Sequence, residues 1–564
     1  MRASAWAPFL HGAALITATE GSAMPTDVSR RSLLLGASGF AVAGLAGFDP
    51  ALAQTESGVL RVAMTASAVP LSNGCPDQGA EGHRFMGITL YDQLIEWDLS
   101  HADRPSVLKP GVATAWKTDP ANQKRWIFTL RQGVKFHDGK MLEADDVAFS
   151  FDRAFKTDAP WFDARASAQV RGRMPTVVQW GSDGPGVFWL ETSVVDSTIP
   201  FTATWVGITH RGAWEAAGKN WDTYLNKAVG TGPWKLESFN LRERAVLVRN
   251  PDYWDAARVP KCAKLILLPM PEANTRVAAL RAGQVDFVEA PPPDAVPSLK
   301  AAGMQIITNT YQHNWTWHLS RVEGSPFNDI RVRKAVNLAV DRAGMKELLG
   351  GLMEEGTGFV PAANPWRGNP SFKPTYDPDA AKKLLAEAGY GPGKPLSFKV
   401  GISTSGSGQM QPLQMNEFLQ QNMKDIGVEV NFEVFDWNAL LGVWREGAKA
   451  PSNRGIAAIN ITYSLLDPYT TFIRFVKSDL VPPKGNNWGY YSDPEMDAMC
   501  NKVYTTFDPD AQKAVLIAIE EKIVNEALFL FVAHDLNPRA LSPKVHGFVQ
   551  AQSWFQDLTP ITVS

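Results

Sequence analysis

The chain has 564 residues, 45% of them hydrophobic and 20% charged, with 19 Trp and 28 Phe. That length exceeds what one hydrophobic core usually organises and predicts two or three lobes, and the apolar content argues against wholesale disorder. The net charge of −3, from 55 Lys and Arg against 58 Asp and Glu, comes without a long basic run or basic helix face, which argues against a nucleic-acid partner.

Ser29-Arg30-Arg31-Ser32 precedes an apolar stretch from Leu33 to Phe48 that closes on Ala51-Leu52-Ala53. A charged region, an apolar region and an A-x-A site predict a signal peptide over residues 1–53, with the mature chain starting at Gln54. The stretch is short and holds Gly36, Gly39, Gly44 and Gly47, so no stable membrane insertion is expected. The paired arginines predict twin-arginine export to the periplasm, and Met24 offers an alternative start that would leave residues 1–23 untranslated. Gln54 stands where a lipid-accepting Cys would be. Cys75, Cys262 and Cys500 match no C-x-x-C or zinc spacing and allow at most one internal disulfide.

Trp126, Phe128 and Leu130 alternate with Ile127, Thr129 and Arg131, predicting a strand, and Asp138-Gly139 after Val134 and Phe136 predicts a hairpin turn. Asp145 and Asp146 then open an amphipathic helix carrying Val147, Phe151 and Phe155. The runs from Ala263 to Leu268, Val285 to Val288 and Leu528 to Val532 read as strands. Between them, Val332, Ala335, Val336, Ala339 and Val340 mark one buried helix face behind a cap at Asn328 or Asp329. Further helices start at Asp377-Pro378, ending before Gly389, and at Asp508-Pro509. Alternation of this kind predicts mixed α/β lobes. No repeat of fixed period is seen.

The common catalytic signatures are missing: there is no G-x-S-x-G, H-E-x-x-H or phosphate loop, and no spacing singles out a carboxylate pair. The expectation is a protein that is not an enzyme, with a secreted hydrolase as a remote alternative. His313 and His318 flank Trp315 and Trp317 in a predicted strand. Five residues apart they face opposite sides, which argues against a shared metal site, and no cofactor is expected.

The block from Ala113 to Phe155, ATAWKTDPANQKRWIFTLRQGVKFHDGKMLEADDVAFSFDRAF, resembles the signature of the family 5 solute-binding proteins of ABC importers, which include dipeptide, oligopeptide and nickel binders. Gly230 to Trp234, Asn250 to Trp254, Ala279 to Asp286, Pro326 to Ala335, Ala380 to Tyr390 and Asp508 to Val532 continue the likeness in order. The resemblance implies an α/β, periplasmic binding protein type II-like fold of three lobes with an inserted extra domain and a hinged cleft. Domain I is expected at 54–92, 195–309 and 533–564, domain II at 93–194 and domain III at 310–532, with the crossings near 310 and 532 as the hinge. It also implies a monomer that captures a peptide-like or other small organic ligand and serves ABC transporter permease subunits.

Site residues follow from the same resemblance. Trp205, Trp234, Trp315, Trp317, Trp437 and Trp488 fall in segments the family brings near the cleft, and flat aromatic walls suit an organic ligand. Trp315, Trp317 and Trp488 are the favoured three, and Trp437 is read as scaffold. Gln78, Glu81 and Arg84 lie in a loop that the family turns to its ligand, and Asn487 matches a domain III pocket position. Peptide binders pair the strand that here runs through Tyr463 with the ligand backbone, and place an aspartate three residues before an acidic-Pro pair to hold the α-ammonium group. That pair is Asp467-Pro468 here, and the anchor position holds Ser464. Ala458 stands where oligopeptide binders carry an arginine. Lacking both charges, the chain is expected to bind a modified peptide, opine, glycoside or similar solute; the alternative is an oligopeptide held by main-chain pairing along Ala458 to Tyr463.

Overall fold

The computed structural model describes residues 58–74, 80–464 and 467–564, with the backbone alone at Ser464. The signal-peptide reading of 1–53, Cys75 and Gln78 lie outside the described residues. Cys262 and Cys500 are both free and buried.

Val59–Met64, Val-Leu-Arg-Val-Ala-Met, is buried along its whole length, as a strand covered on both faces must be. It runs parallel to Lys264–Pro269 on one side and Phe287–Glu289 on the other. The buried Arg61 it carries is paired with Asp286 at 2.9 Å. Arg244–Arg249 and Trp234–Asn240 extend this sheet antiparallel at one edge. At the other edge Arg539–Leu541 lies antiparallel between Phe287–Glu289 and Gln305–Ile307, giving seven strands.

A six-stranded sheet repeats the plan. Leu396–Ser403 runs parallel to Val428–Phe435 and Ile456–Ser464, and His313–Leu319 lies antiparallel beside the latter. Phe529–Asp535 and Met353–Glu355 complete it. Setting aside the antiparallel edge strands Trp234–Asn240, Arg244–Arg249 and Met353–Glu355, both sheets run in the order second, first, third, inserted antiparallel strand, fourth. The inserted strand is in each case the first one made after the chain passes from the other sheet, since His313–Leu319 follows Gln305–Ile307 and Arg539–Leu541 follows Phe529–Asp535. This repeat lives in topology, which periodicity in the sequence does not reveal.

A third sheet orders Ala113–Asp119, Asn122–Leu130, Val187–Thr192 and Val177–Ser182, all antiparallel. Trp126, Phe128 and Leu130 face its core as their alternation predicts. Asp138-Gly139, by contrast, turns a single bridge between Lys135 and Met141 and no full hairpin. Helix Ala144–Phe155 buries Val147 and Phe151 on this sheet, and Asp146 accepts the Glu143 N–H at 2.9 Å to close its first turn. His137 ties the block to the seven-stranded sheet: its Nε2 donates to the Gly232 carbonyl at 3.0 Å and its Nδ1 accepts the Gly230 N–H at 3.3 Å. The caps at Asp329, Asp377 and Asp508 form as read, each side chain accepting a first-turn N–H.

Candidate functional site

A cavity of about 300 Å³ lies where loops and helices attached to the three sheets meet. Helix Trp437–Glu446 supplies one wall. Its Asp436 cap accepts the N–H groups of Asn438 and Ala439, and Trp437, Leu441 and Trp444 recur at four- and three-residue spacing on one face. Trp205 at the end of a short turn, Tyr463 on strand Ile456–Ser464 and Trp554 near the C-terminus provide the other flat surfaces.

Three arginines complete the lining. Arg173 follows helix Ala164–Val170, stacks its guanidinium 4.2 Å from the Trp205 ring and donates to Gln169. Burial, and then the charge of Arg474, hold Arg173 down to about 9. Arg474 is 4% exposed, donates through Nε to the Thr470 carbonyl at 3.1 Å and lies 4.3 Å from the Tyr463 ring. Burial lowers its pKa as well. Arg445 stands at the exposed rim. Among the described residues, no Asp or Glu lines the cavity and none forms an ion pair with these three arginines.

His313 also reaches the cavity but is an organiser. Its Nε2 donates to the Gly408 carbonyl at 3.2 Å and its Nδ1 accepts the Asp535 N–H at 3.2 Å, so the ring is a neutral tautomer with both nitrogens engaged. Burial, followed by the neighbouring His534, holds it down to about 3. Beyond Gly408 and Trp554 opens a smaller, more polar chamber of about 190 Å³ lined by Glu289, Asp535, Asn537 and Arg539.

Of the candidates read from the sequence, Tyr463 lines the larger cavity, its ring packed against Arg474, Trp444 at 5.3 Å and Phe475 at 4.7 Å. The Ser464 backbone pairs with His313 at the cavity edge. Trp315 and Trp317 share a face, as alternation predicts, yet their placement as pocket walls is corrected. That face is roofed by residues 408–416, where Trp315 donates to the Gln409 carbonyl at 3.0 Å and Trp317 to Asn416 Oδ1 at 2.8 Å, and both are fully buried. Trp488 is likewise buried in the core. Asn487 points away from the cleft, donating to the Lys477 and Tyr491 carbonyls and accepting the Tyr491 N–H; its neighbour Asn486 lines the cavity instead. Asp467 is fully buried and accepts the Thr470 N–H at 2.8 Å and its hydroxyl, which caps the following turn. Burial raises its pKa.

Glu81 and Arg84 sit behind the wall. Arg84 pairs with Glu81 at 3.1 Å and with Glu289, and its guanidinium lies 4.0 Å from the Trp554 ring, so the pair positions an aromatic that borders both chambers. Gln78 lies outside the described residues. Sequence reading missed Arg173, Arg445, Arg474, Trp444 and Trp554, and relegated Trp437 to scaffold. A signal existed for two of them: Arg474 is the one charge in the apolar run Phe472 to Val476, and Trp444 follows Trp437 by two helical turns. Among the described residues no cluster of His, Cys, Asp and Glu could hold a metal ion. No described helix is long and apolar enough to cross a membrane.

Two like-ordered sheets that meet at an aromatic cleft, with the chain crossing twice between them, form the α/β architecture of a type II periplasmic binding protein. The family model described as bacterial extracellular solute-binding proteins, family 5 Middle, matches residues 107–480, and the chain belongs to that family. It is therefore the solute-binding component of an ABC-type import system and not an enzyme. The periplasmic oligopeptide-binding protein OppA of Haemophilus influenzae is 26% identical over 507 residues, covering 85% of this chain and 90% of that protein. Heme-binding protein A of the same organism is 27% identical over 491 residues, covering 82% and 84%. The solved periplasmic binding protein DppA of Helicobacter pylori, in complex with the peptide STSA, superposes with a TM-score of 0.77 at 20% identity over 90% of this chain and 98% of that one. One expectation is withdrawn: these relationships support periplasmic solute binding and transport but give no support for a twin-arginine signal, whose residues lie outside both the described chain and the family match.

Proposed function

We propose that the protein captures a peptide-like or other small organic solute in the aromatic cleft, in the periplasm, and delivers it to the permease subunits of its importer. The observation that carries this reading is the cavity bounded by Trp205, Trp437, Trp444, Tyr463 and Trp554, a surface suited to a flat organic body. Similar proteins named for oligopeptide and heme binding favour an organic ligand. The seven-, four- and six-stranded sheets are the cores of the proposed domains I, II and III, with the hinge at the crossings near 310 and 532. A solute touching both sides of such a hinge shifts its open and closed populations by its differential affinity for them.

A plain peptide is the less favoured ligand. A desolvated α-ammonium group without a counter-charge costs several kcal/mol, and Ser464 occupies the position from which peptide binders supply one. Main-chain pairing is the second reading, but the strand's free edge is short: Ile456, Ala458 and Ile459 already face Lys399, Val400 and Gly401, leaving at most 460–464 for a ligand. Calorimetry with di- and tripeptides decides the matter. The wild type is expected to bind them weakly, and Ser464→Asp to tighten them by about one to two orders of magnitude, the effect of one charge-assisted hydrogen bond. Sub-micromolar wild-type binding that vanishes on acetylating the peptide amino terminus would sink the non-peptide reading.

A further inference from the structure

We infer that the cleft selects a small organic anion, carrying a carboxylate or phosphate group on a flat apolar body, and that Arg173 and Arg474 hold its charge. The inference rests on the solute-capture reading and adds the chemical class of the solute.

Among the described residues, three arginines and no acid line the cavity, so the charge they present is one-sided. Burial penalises charge on both Arg173 and Arg474, and the charge of Arg474 further disfavours charge on Arg173. Their stacking is specific. The Arg173 guanidinium carbon lies 4.2 Å from the Trp205 ring centre, and that of Arg474 lies 4.3 Å from Tyr463 and 4.6 Å from Phe475, cation–π contacts that are compatible with N–H donation to an acceptor. The N–H edges are underused. Arg474 gives Nε to Thr470 and has no partner for its two Nη atoms among the described residues. Arg173 gives Nη1 to Gln169, while its Nε is enclosed without a partner. Asp467, the acid whose charge reaches Arg474, has its oxygens on Thr470. A bidentate oxyanion satisfies both forks and removes the repulsion between them, whereas an ammonium group would add a third cation. Arginine in place of lysine matters here, because the planar fork can stack and bond at once.

The test is thermal-shift and calorimetric titration of the purified protein with N-acetyl-tryptophan, phenyl phosphate, N-acetyl-tryptophanamide and tryptophanamide, and with a bacterial metabolite extract divided on an anion-exchange resin. Stabilisation is expected from the resin-retained fraction and from an acidic probe, and not from the two amides; which acidic probe acts separates carboxylate from phosphate. Arg173→Gln and Arg474→Gln should each weaken this binding about ten- to a hundredfold. Arg474 is buried and its substitution can compromise folding, so Arg173→Lys serves as the second variant. It keeps the charge, loses the fork, and should weaken binding about tenfold. Stabilisation confined to the unretained fraction, or equal binding of acid and amide, overturns the anion inference and leaves solute capture standing. Failure of every fraction, retained or not, overturns both.

Discussion

His318 offers a direct check on how the cleft is supported. It is 3% exposed, on the face of strand His313–Leu319 opposite Trp315 and Trp317, with its ring 4.9 Å from Phe529, 5.5 Å from Phe475 and 6.4 Å from the Tyr463 ring that lines the cavity. Burial, and then the charge of Arg474, hold it from the ordinary 6.5 down to about 3. The folded protein therefore refuses a proton that the unfolded chain accepts. The contribution of this neutral ring to stability is complete above pH 6.5 and is lost as pH falls from 6.5 towards 3. At pH 4.5, two units below the unfolded value, the loss amounts to about 2.7 kcal/mol at roughly 1.4 kcal/mol per unit. His318→Phe removes the titration while keeping an aromatic ring in an aromatic nest. Its stability relative to wild type, from urea unfolding at pH 7.5 and pH 4.5, should improve by about 2–3 kcal/mol on acidification, whatever packing cost it carries at neutral pH. An equal difference at the two pH values would refute a buried neutral His318.

Other substitutions report on neighbouring parts. Arg84→Met should cost about 3–5 kcal/mol in thermal or urea unfolding, because Glu81 and Glu289 lose a buried cation that also backs Trp554; an unchanged midpoint would mean the network is dispensable. Asp467→Ala removes the acceptor for the Thr470 N–H and hydroxyl and should lower stability by about 1–2 kcal/mol, whereas a ligand-contacting role would show as lost affinity with stability unchanged. Gly406 has φ +143°, and an added Cβ would lie 2.5 Å from the Trp437 ring. Gly406→Ala should displace that wall, weaken binding of the anion-exchange-retained extract fraction about tenfold or more, and alter tryptophan fluorescence; unaltered affinity would remove Trp437 from the site.

The sequence carried the fold through local chemistry. Aspartate caps at 329, 377 and 508 and the alternating apolar residues of Asn122–Leu130 each formed the element they signal, since a cap or a period of two needs no knowledge of distant partners. The site was less legible because it is made by assembly. Alternation placed Trp315 and Trp317 on one face, but only the folded chain reveals that residues 408–416 cover it. A one-residue difference decides that Asn486 faces the cavity while Asn487 staples a loop. Arg173 and Arg474 lie 301 positions apart, and nothing local to either announces the other. Ser464 carried the useful clue, since a missing acid there agrees with a cavity whose described lining holds cations and no acid.

Capture of a small solute in this cleft is tested most directly by native mass spectrometry of the protein after incubation with a bacterial metabolite extract. Wild type should gain the mass of one small molecule per chain, and the gain should be lost in a variant that keeps the fold but lacks the Arg173 fork. A wild-type mass that no extract changes would contradict solute capture at this site, whereas an adduct retained at equal strength by Arg173→Gln would overturn only the anion inference.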